Sequence, residues 1–401
     1  MTRHAAAEIP TPRESAGRLT PCTVAIIAGQ LAIGGAERQL YLWLAHLDRA
    51  RFRPVVVTLH PDCDDYWEDR IAQLDVPVLR VKRNGNPATR LLEIARVLRP
   101  HRTALVHGWH LFASPYAGAA AALIGARGSL GSLRGSSDSY RRLRLQSRMT
   151  EWLTDGLLVN SESAALDLGA GSRRFGGRIY TVPNAVEECD TDRAGARAAL
   201  TLRHPIPQPF WIGSTGRLQS SKRFDVLLDV VSGLPAKETA LVLAGDGPMR
   251  DSLVSKAREL GIADRTIFAG EDPDVRRWVS AFDVFAFASE DEGLPNAVLE
   301  AAAAGVPIVA WRSPFLEEIL ENGRSAALVE PGNVEAFRST VAALLRDREA
   351  RQSMGRAARA AVLGRFGVDR FVAGMSRAYD DVLASRRAGR NRETAATGVA
   401  G

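Results

Sequence analysis

Short runs of β-branched and other apolar residues alternate along the chain with stretches in which apolar residues recur at helical spacing. Such runs predict strands at 23–28, 55–59, 78–81, 104–107, 156–159 and 178–182 in the first half, and at 210–214, 241–244, 266–269, 284–287, 308–310 and 326–329 in the second. After the first strand, Leu40, Trp43, Leu44 and Leu47 form a stripe at i, i+3, i+4 and i+7, which predicts an amphipathic helix. This alternation is typical of a mostly parallel sheet with helices on both faces.

A proline-rich stretch at 203–209 interrupts the alternation, and its X-Pro units disfavour helix and predict an extended linker. We therefore predict an α/β fold class with two doubly wound, Rossmann-like parallel-sheet domains that face a cleft, where ligands bind beyond the carboxyl ends of the strands. The predicted division is a disordered tail at 1–20, an N-terminal domain at 21–205, a C-terminal domain at 206–365, a helix at 366–386 and a disordered tail at 387–401.

Composition restricts the function classes. The 401 residues are 46% hydrophobic and 24% charged, which is typical of a globular protein, and no apolar run is long enough to cross a bilayer. The three cysteines, Cys22, Cys63 and Cys189, are scattered, and the N-terminus lacks the apolar core of a signal peptide, so we expect reduced thiols and a cytoplasmic location. The net charge of +6 suits a partner that carries phosphates. No nucleic-acid-binding motif is present, so nucleic acid is not an expected partner.

The segment 213–225 places two cations after a predicted strand. Gly216 lies in the turn, and Arg217 and Lys222 flank the entry to the next helix. Cations beside a helix N-terminus form a good clamp for a pyrophosphate. The alternative is a loop with two solvated charges.

A second turn follows the strand at 241–244, where Gly245 and Gly247 flank Asp246. The glycines allow a ligand to approach the backbone closely. The turn lacks the third glycine of the dinucleotide fingerprint, and turns of this kind are mostly structural.

The most specific segment is 289–300. Glu292 lies in a loop and Glu300 lies on the following helix, with Gly293, Leu294 and Asn296 between them. Backbone N–H groups at a helix start can bind hydroxyls and anions. An acidic capping segment would account for the preceding Glu290 and Asp291, but not for this spacing of two glutamates around Gly-Leu-Pro-Asn.

Together these segments resemble the retaining glycosyltransferases of family 4, which have the GT-B fold. The resemblance rests on Arg217 and Lys222, the Ala-Gly-Asp-Gly-Pro turn at 244–248, and the Glu-x7-Glu pair in its Glu-Gly-Leu-Pro-Asn context. Weaker similarities lie at 33–37, 182–185, 318–323 and 328–332. The resemblance covers about residues 23–385 and is strongest in the second half.

The resemblance implies transfer of a hexose-type sugar, with retention and without a metal or other cofactor. The donor would be a UDP- or GDP-linked sugar, and the acceptor a glycan, a lipid-linked molecule or a small molecule. The N-terminal domain would face the acceptor and the C-terminal domain the donor, with the helix at 366–386 crossing back. Arg217 and Lys222 would hold the diphosphate, Glu300 the ribose, and Glu292 with the backbone from Gly293 to Asn296 the sugar. Gly34 and Gly35 would close on the diphosphate, and Gly216, Gly245, Asp246, Gly247 and Leu294 complete the expected donor site.

Two histidines at 107–110 have a pattern similar to a metal pair, but no third ligand is near them in sequence. The family commonly places residues that face the sugar and acceptor after this strand, so His107 and His110 are candidate catalytic residues, with a structural role as the alternative. Asp272 and Asp274 resemble the Asp-x-Asp metal motif of another glycosyltransferase fold, and the competing interpretation, which we favour, is a cap for the helix at 275–280.

The stretches 134–138 and 140–148 are basic and partly amphipathic. They predict either a solvated helix face or a patch for an anionic membrane surface or lipid phosphate, which would place the chain peripherally at the inner membrane face. Two alternatives to a transferase remain at this stage. These are a nucleotide-sugar epimerase or hydrolase of the same fold, and a non-catalytic sugar-nucleotide sensor.

Overall fold

The structure is a computed structural model that describes residues 21–61, 65–82, 86–171, 178–189 and 192–397. The predicted tail at 1–20 and Cys63 lie outside the described residues. Within the described ranges, no helix is both long and apolar enough to span a membrane.

The first half of the chain forms a parallel sheet of seven strands in the order β3-β2-β1-β4-β5-β6-β7. Its strands are β1 Cys22–Ala28, β2 Phe52–Thr58, β3 Val78–Arg80, β4 Leu105–Gly108, β5 Gly128–Leu133, β6 Gly156–Val159 and β7 Ile179–Thr181. Its helices are α1 Gly35–His46, α2 Tyr66–Ala72, α3 Pro87–Leu98, α4 Ser114–Ile124, α5 Ser137–Arg142, α6 Arg144–Leu153 and α7 Glu162–Gly171.

The second half forms a parallel sheet of six strands in the order β10-β9-β8-β11-β12-β13. Its strands are β8 Phe210–Thr215, β9 Thr239–Ala244, β10 Thr266–Gly270, β11 Val284–Phe287, β12 Ile308–Trp311 and β13 Ala327–Val329. The helices are α8 Arg193–Thr201, α9 Phe224–Ser232, α10 Arg250–Glu259, α11 Val275–Ala281, α12 Asn296–Ala303, α13 Pro314–Glu317, α14 Val334–Arg346, α15 Arg348–Leu363 and α16 Val368–Thr397. The predicted fold class, two doubly wound parallel-sheet domains, is confirmed.

Strand β5 has no counterpart among the predicted strands, because its sequence Gly-Ser-Leu-Gly-Ser-Leu lacks the β-branched residues of a typical buried strand. Its glycines have a packing reason. A Cβ atom on Gly128 would lie 2.5 Å from Val382 of α16, and one on Gly131 would lie 2.6 Å from Thr150 of α6. The strand therefore uses small residues to let helices approach both faces of the sheet.

The chain passes from one domain core to the other at residues 185 and 186. Ala185 packs in the core of the first domain, whereas Val186 and Leu200 pack with Trp278 in the core of the second. Helix α8 therefore belongs to the second domain, although the sequence predicts a boundary at 205/206. The proline-rich stretch disfavours helix, but it connects α8 to β8 within one domain, and its Ile206 is buried there.

The chain returns to the first domain after Phe366. Val186 N–H donates a hydrogen bond of 2.8 Å to the Phe366 carbonyl, so the two crossings lie side by side. Helix α16 then packs its Met375 and Tyr379 in the first domain's core. It continues to Thr397, whereas the sequence predicts a disordered tail from 387. Ala and Arg, which favour helix, are frequent in this stretch.

Candidate active site

Each sheet reverses its direction of winding at one point, and in open α/β sheets ligands bind there, beyond the carboxyl ends of the strands. In the first sheet the reversal lies between β1 and β4, and in the second between β8 and β11. The predicted site residues follow these strands in sequence. Gly34 and Gly35 come after β1, His110 after β4, Lys222 after β8, and Glu292 after β11.

At the second reversal point, Lys222 and Glu292 form an ion pair between Nζ and Oε1. The same Oε1 accepts a hydrogen bond of 2.9 Å from the Ser289 hydroxyl, which also lies 3.2 Å from the carbonyl of Ser221. The loop after β11 is thus tied to the loop after β8. Because β8 and β11 are neighbours in the sheet, Lys222 and Glu292 meet here although they are far apart in sequence.

Arg217 is exposed and makes no ion pair with a described residue. Its loop is held against the turn after β9 by a hydrogen bond of 2.8 Å, which Leu218 N–H donates to the Asp246 carbonyl. Gly216, Gly245 and Gly247 have φ of 138°, 149° and 157°, conformations that favour glycine. A Cβ atom on Gly247 would also lie 2.5 Å from the Leu218 carbonyl oxygen.

These contacts give Gly245 and Gly247 a role in packing the two loops together. Asp246 accepts a hydrogen bond from Gly247 N–H over 2.6 Å and lies 3.8 Å from Arg250, so its carboxylate is engaged within its own turn. The turn at 244–248 thus positions the loop that carries Arg217.

Helix α12 faces helix α1 of the first domain across the cleft. Glu300 is 9% exposed and pairs through Oε1 with Nη1 of Arg38. One turn earlier, Asn296 accepts a hydrogen bond of 3.0 Å from Gln39. Gly35 lies against the Asn296 side chain, so a larger residue there would collide with it.

The loop before α12 also contacts the first domain. Asn184 donates a hydrogen bond of 2.8 Å to the Leu294 carbonyl. Gly293 is buried, and a Cβ atom on it would lie 2.5 Å from Asn160 Oδ1 and 2.9 Å from the Gly135 carbonyl oxygen. The predicted donor-binding residues Gly35, Gly293, Leu294, Asn296 and Glu300 therefore all line the closed junction between the domains.

Helix N-termini and cationic side chains contribute positive charge on this side of the cleft, next to the carboxylates of Glu292 and Glu300. The N-termini of α1 and α12 lie next to each other, and each carries about half a positive charge from its helix dipole. Lys222 and Arg217 add two cationic side chains from the same domain as α12. An arrangement of this kind can hold a diphosphate and stabilise it as it leaves a sugar.

His107 lies in the core of the first domain and does not face the cleft. It is fully buried, with Nδ1 2.7 Å from the Tyr379 hydroxyl and Nε2 2.6 Å from the Ser132 hydroxyl. Burial lowers the pKa of His107 well below its usual value, so the ring is neutral. Both nitrogens are occupied, which corrects the prediction of a catalytic role: the geometry fits the structural alternative.

His110 lines a cavity of about 380 Å³ at the first reversal point, together with Gly29, Gln30, Glu37, His60 and Phe112. Its Nε2 lies 3.3 Å from Glu37, and its ring stacks on Phe112 with centroids 5.4 Å apart. His110 Nδ1 is buried and has no hydrogen-bond partner among the described residues. Of the two candidate histidines, His110 alone is placed to contact a ligand.

Two polar residues of the first domain were not predicted as site residues. Arg134 follows β5, stacks 3.6 Å over the Trp109 ring and keeps Nη2 buried, without a partner in the described part of the chain. Burial lowers the pKa of Arg134 to about 9. Asn160 follows β6 and is fully buried, with an equally unpartnered Oδ1. The signal that could have found them is their position as the first polar residue after a strand.

Arg38 and Gln39 were also missed, although they directly follow the predicted segment at 33–37. They lie in the first turns of α1, and Gln39 is a buried polar residue on a helix whose other buried residues are apolar. A buried amide in an apolar stripe is informative because it requires hydrogen-bond partners. Here those partners are Asn296 and the backbone of Ala185.

Asp272 and Asp274 lie away from this junction. Asp272 accepts hydrogen bonds from Asp274 N–H at 2.8 Å and from the Trp278 indole at 2.9 Å, and Asp274 pairs with Arg277. These contacts lie at the start of α11, but the N-cap residue Asp274 makes no side-chain capping hydrogen bond, so the capping interpretation stays a prediction. Across the described ranges, no group of three or more His, Cys, Asp or Glu side chains is arranged to hold a metal ion.

Two family models match this chain. Residues 33–188 match the family model described as Glycosyltransferase Family 4, and residues 203–361 match the model described as Glycosyl transferases group 1. The chain belongs to glycosyltransferase family 4. The two models together match β2 to β7 of the first sheet and all strands of the second, and the predicted family is confirmed.

Curated relatives include the lipopolysaccharide core biosynthesis glycosyltransferase LpsE of Rhizobium meliloti. It is 32% identical over 196 residues, which cover 49% of this chain and 56% of that protein. The D-inositol 3-phosphate glycosyltransferase of Mycolicibacterium gilvum is 36% identical over 199 residues, 47% of this chain and 43% of that protein. The matches thus span about half the length of these relatives.

Among solved structures, Anabaena Alr3699/HepE in complex with UDP and glucose superposes with a TM-score of 0.78. The identity is 19%, and the match covers 90% of this chain and all of that one. WaaG, a glycosyltransferase involved in lipopolysaccharide biosynthesis, has a TM-score of 0.68 at 15% identity, with 88% of this chain and 98% of that chain covered. These similarities establish the GT-B fold.

Proposed function

We propose that this family 4 chain transfers a hexose from a UDP- or GDP-linked donor to a glycan, lipid-linked or small-molecule acceptor, with retention and without a metal. The observation that carries the proposal is the junction between the domains. There Lys222 pairs with Glu292, Glu300 pairs with Arg38 of the other domain, and Gly35 at the start of α1 contacts Asn296 at the start of α12. HepE, which shares the fold, was solved with UDP and glucose.

In this proposal the cations and helix N-termini hold the donor diphosphate. The bond between the anomeric carbon and the phosphate oxygen breaks while the acceptor oxygen bonds to the same carbon. The acceptor's proton passes to the departing phosphate oxygen on the same face of the sugar, so configuration is retained without a covalent enzyme intermediate. Lys222 and Arg217 stabilise the leaving diphosphate.

Glu300 is proposed to bind the ribose hydroxyls of the donor. In the structure its carboxylate is held by Arg38, which also lies 3.4 Å from Glu187. Donor binding would require Arg38 to release Glu300 or to share it with the ribose.

The cavity around His110 is proposed to receive the acceptor. It lies beyond the carboxyl ends of β1 and β4, in the domain opposite the donor-binding helix α12. His110 and Glu37 supply polar groups for hydroxyls, and Phe112 offers an aromatic face to a sugar ring. Arg134, whose Nη2 has no hydrogen-bond partner among the described residues, is proposed to bind the transferred sugar.

The decisive experiment is a thermal-shift panel of UDP-, GDP- and ADP-sugars on the wild type and on Lys222→Ala. We expect one nucleotide class to stabilise the wild type clearly and the variant much less, because the variant loses a charge-assisted contact. No stabilisation by any donor, or an equal shift in both proteins, would remove the basis of the proposal.

A second measurement addresses the alternatives. Release of free sugar and nucleotide at the same rate with and without an acceptor extract would favour the hydrolase or epimerase, and donor binding without any turnover would favour a sensor. Transfer that persists in excess chelator, giving a product with the donor's anomeric configuration by NMR, is the outcome that the proposal expects.

A further inference from the structure

Trp109 directly follows β4 and contacts two groups that the first domain contributes to the proposed site. Its side chain is fully buried, so it does not reach the surface that a donor or acceptor would touch. The indole Nε1–H donates a hydrogen bond of 2.8 Å to the Ala36 carbonyl in the first turn of α1. The guanidinium carbon of Arg134 lies 3.6 Å from the centroid of the same ring. One buried side chain therefore contacts both the start of α1 and Arg134.

The first turn of α1 is the part of that helix that meets the second domain. Gly35 lies against the Asn296 side chain, and Arg38 pairs with Glu300. Ala36 lies between Gly35 and Arg38 in sequence, and a carbonyl oxygen can accept a second hydrogen bond besides the one it accepts within its helix. The bond from the indole therefore fixes this turn without interrupting the helix.

Arg134 is held both by the ring and by the backbone of Trp109. Its Nε–H donates to the Trp109 carbonyl over 3.2 Å, while the cation lies over the indole ring in a cation–π arrangement. Nη1 lies 3.4 Å from Asn184 Oδ1, and Nη2 is buried without a hydrogen-bond partner among the described residues. Because a guanidinium group is planar and rigid, its two contacts with Trp109 set the direction of Nη2.

Trp109 is itself fixed in place. Its backbone N–H donates a hydrogen bond of 2.9 Å to the Ile27 carbonyl, which extends the pairing of β4 with β1. The centroid of its ring lies 5.4 Å from that of His107 and 6.4 Å from that of Trp43 on α1. These neighbours are also fully buried, so the indole cannot shift without disturbing the core.

We infer that Trp109 is a positioning residue that holds Arg134 and the start of α1 in a fixed relation, so that both act on one donor molecule. The inference rests on the proposed function, in which Arg134 binds the transferred sugar and the start of α1 faces the diphosphate. A tryptophan that only fills space in a core has no such effect. Trp278 of the second domain offers that comparison, because it is 1% exposed and its indole N–H donates to Asp272 over 2.9 Å, away from the junction.

The first test is steady-state kinetics of Trp109→Phe, which keeps an aromatic ring and removes the indole N–H. We expect kcat to fall by roughly 10- to 100-fold, the size of loss that a misplacement of about 1 Å causes. The donor KM should change little, because Lys222 and Glu300 of the second domain stay in place. The matched control is Trp278→Phe, which also loses an indole hydrogen bond. It should lower the melting temperature and leave kcat unchanged.

A double-mutant cycle shows whether Trp109 acts through Arg134. Arg134→Ala alone should lower kcat, and Trp109→Phe should then lower it by a smaller factor in the Arg134→Ala background than in the wild type. A residue that contributes only packing would give the same factor in both backgrounds. That result would overturn the inference, and so would a loss of kcat in Trp278→Phe as large as the loss in Trp109→Phe.

Amide hydrogen exchange of the ligand-free protein tests the same inference without turnover. Exchange in α1 and around Arg134 should be faster in Trp109→Phe than in the wild type, and unchanged there in Trp278→Phe. Unchanged exchange at both places in Trp109→Phe would contradict the positioning role. If the wild type transfers no sugar from any donor, the proposed function fails, while the exchange measurement still decides whether Trp109 holds the two groups.

Discussion

The two reversal points are built from the same topology but differ in chemistry. At β8 and β11, charged side chains are close together and paired, and the first domain covers them through Arg38, Gln39 and Asn184. At β1 and β4, a cavity of about 380 Å³ remains open between histidine, glutamate, glutamine and aromatic side chains. The second-domain point thus suits an anion of fixed shape, and the first-domain point suits a polyol or sugar whose identity varies.

The second-domain half of the site is easy to recognise in the sequence, whereas the first-domain half is not, and the reason is chemical. Binding a diphosphate requires particular charges at particular distances, so those residues form contiguous sequence motifs. A sugar acceptor can be bound by many combinations of hydroxyl, amide and aromatic groups. The cavity residues accordingly come from separate strands, such as Gly29 after β1, His60 after β2 and His110 after β4.

The largest expected difference between the two points concerns Lys222. Lys222→Met should lower the transfer rate by about 100- to 1,000-fold, the loss that is typical when one donor to a developing negative charge is removed. Steady-state kinetics with a donor identified by thermal shift would measure it. Lys237→Met, at an exposed lysine of the same domain, is the control, and a drop of less than tenfold at Lys222 would contradict the clamp assignment.

The two histidines of the first domain should separate stability from activity. His107→Phe leaves the Tyr379 and Ser132 hydroxyls buried without their partner, so we expect the free energy of unfolding to fall by about 2–3 kcal/mol with little change in kcat. His110→Phe should change the acceptor KM or kcat and barely affect stability. Urea unfolding together with kinetics on both variants measures this, and the reverse pattern would restore His107 as a catalytic candidate.

Arg38 and Glu300 should have opposite effects on donor affinity. Glu300→Gln should weaken nucleotide binding by about tenfold or more, because a charged acceptor for the ribose is lost. Arg38→Ala should lower the melting temperature without donor and enlarge the donor-induced shift, since it leaves a buried carboxylate unpaired until the ribose arrives. Arg276→Ala, which contacts Glu187 but not Glu300, is the matched control. Weaker donor binding in Arg38→Ala would show that Arg38 helps to bind the donor.

The smallest expected effect lies at the cavity wall. Phe112→Ala removes a partly exposed ring, so we expect the acceptor KM to rise by about fivefold while the donor affinity stays the same. Kinetics at saturating donor would detect this, with Leu92→Ala as an exposed control. An equal loss of donor affinity would mean that the cavity belongs to the donor site.

Sequence patterns predicted the sheets well, because buried parallel strands such as β1 and β11 are apolar runs. They missed β5, where close packing of α16 and α6 requires glycine and serine, and they placed the domain boundary too late, because a proline-rich stretch reports backbone conformation and not which core a helix joins. The charged motifs of the second domain were visible because a diphosphate requires particular charges at particular distances, which keeps these residues in contiguous motifs. Arg38 becomes recognisable only when the two domains are brought together, because its partner Glu300 belongs to the second domain.

The side-by-side crossings at Val186 and Phe366 have a mechanical consequence. The two crossing segments lie side by side and are joined by the hydrogen bond between Val186 and Phe366, so the connection between the domains is narrow. A narrow connection of this kind bends more easily than it shears or twists. We therefore expect the domains to open and close by a hinge motion about these crossings, and the ion pair of Arg38 with Glu300 to hold them closed. Inserting residues into either crossing would allow the domains to slide past each other, so that the two halves of the site would no longer be aligned when the domains close.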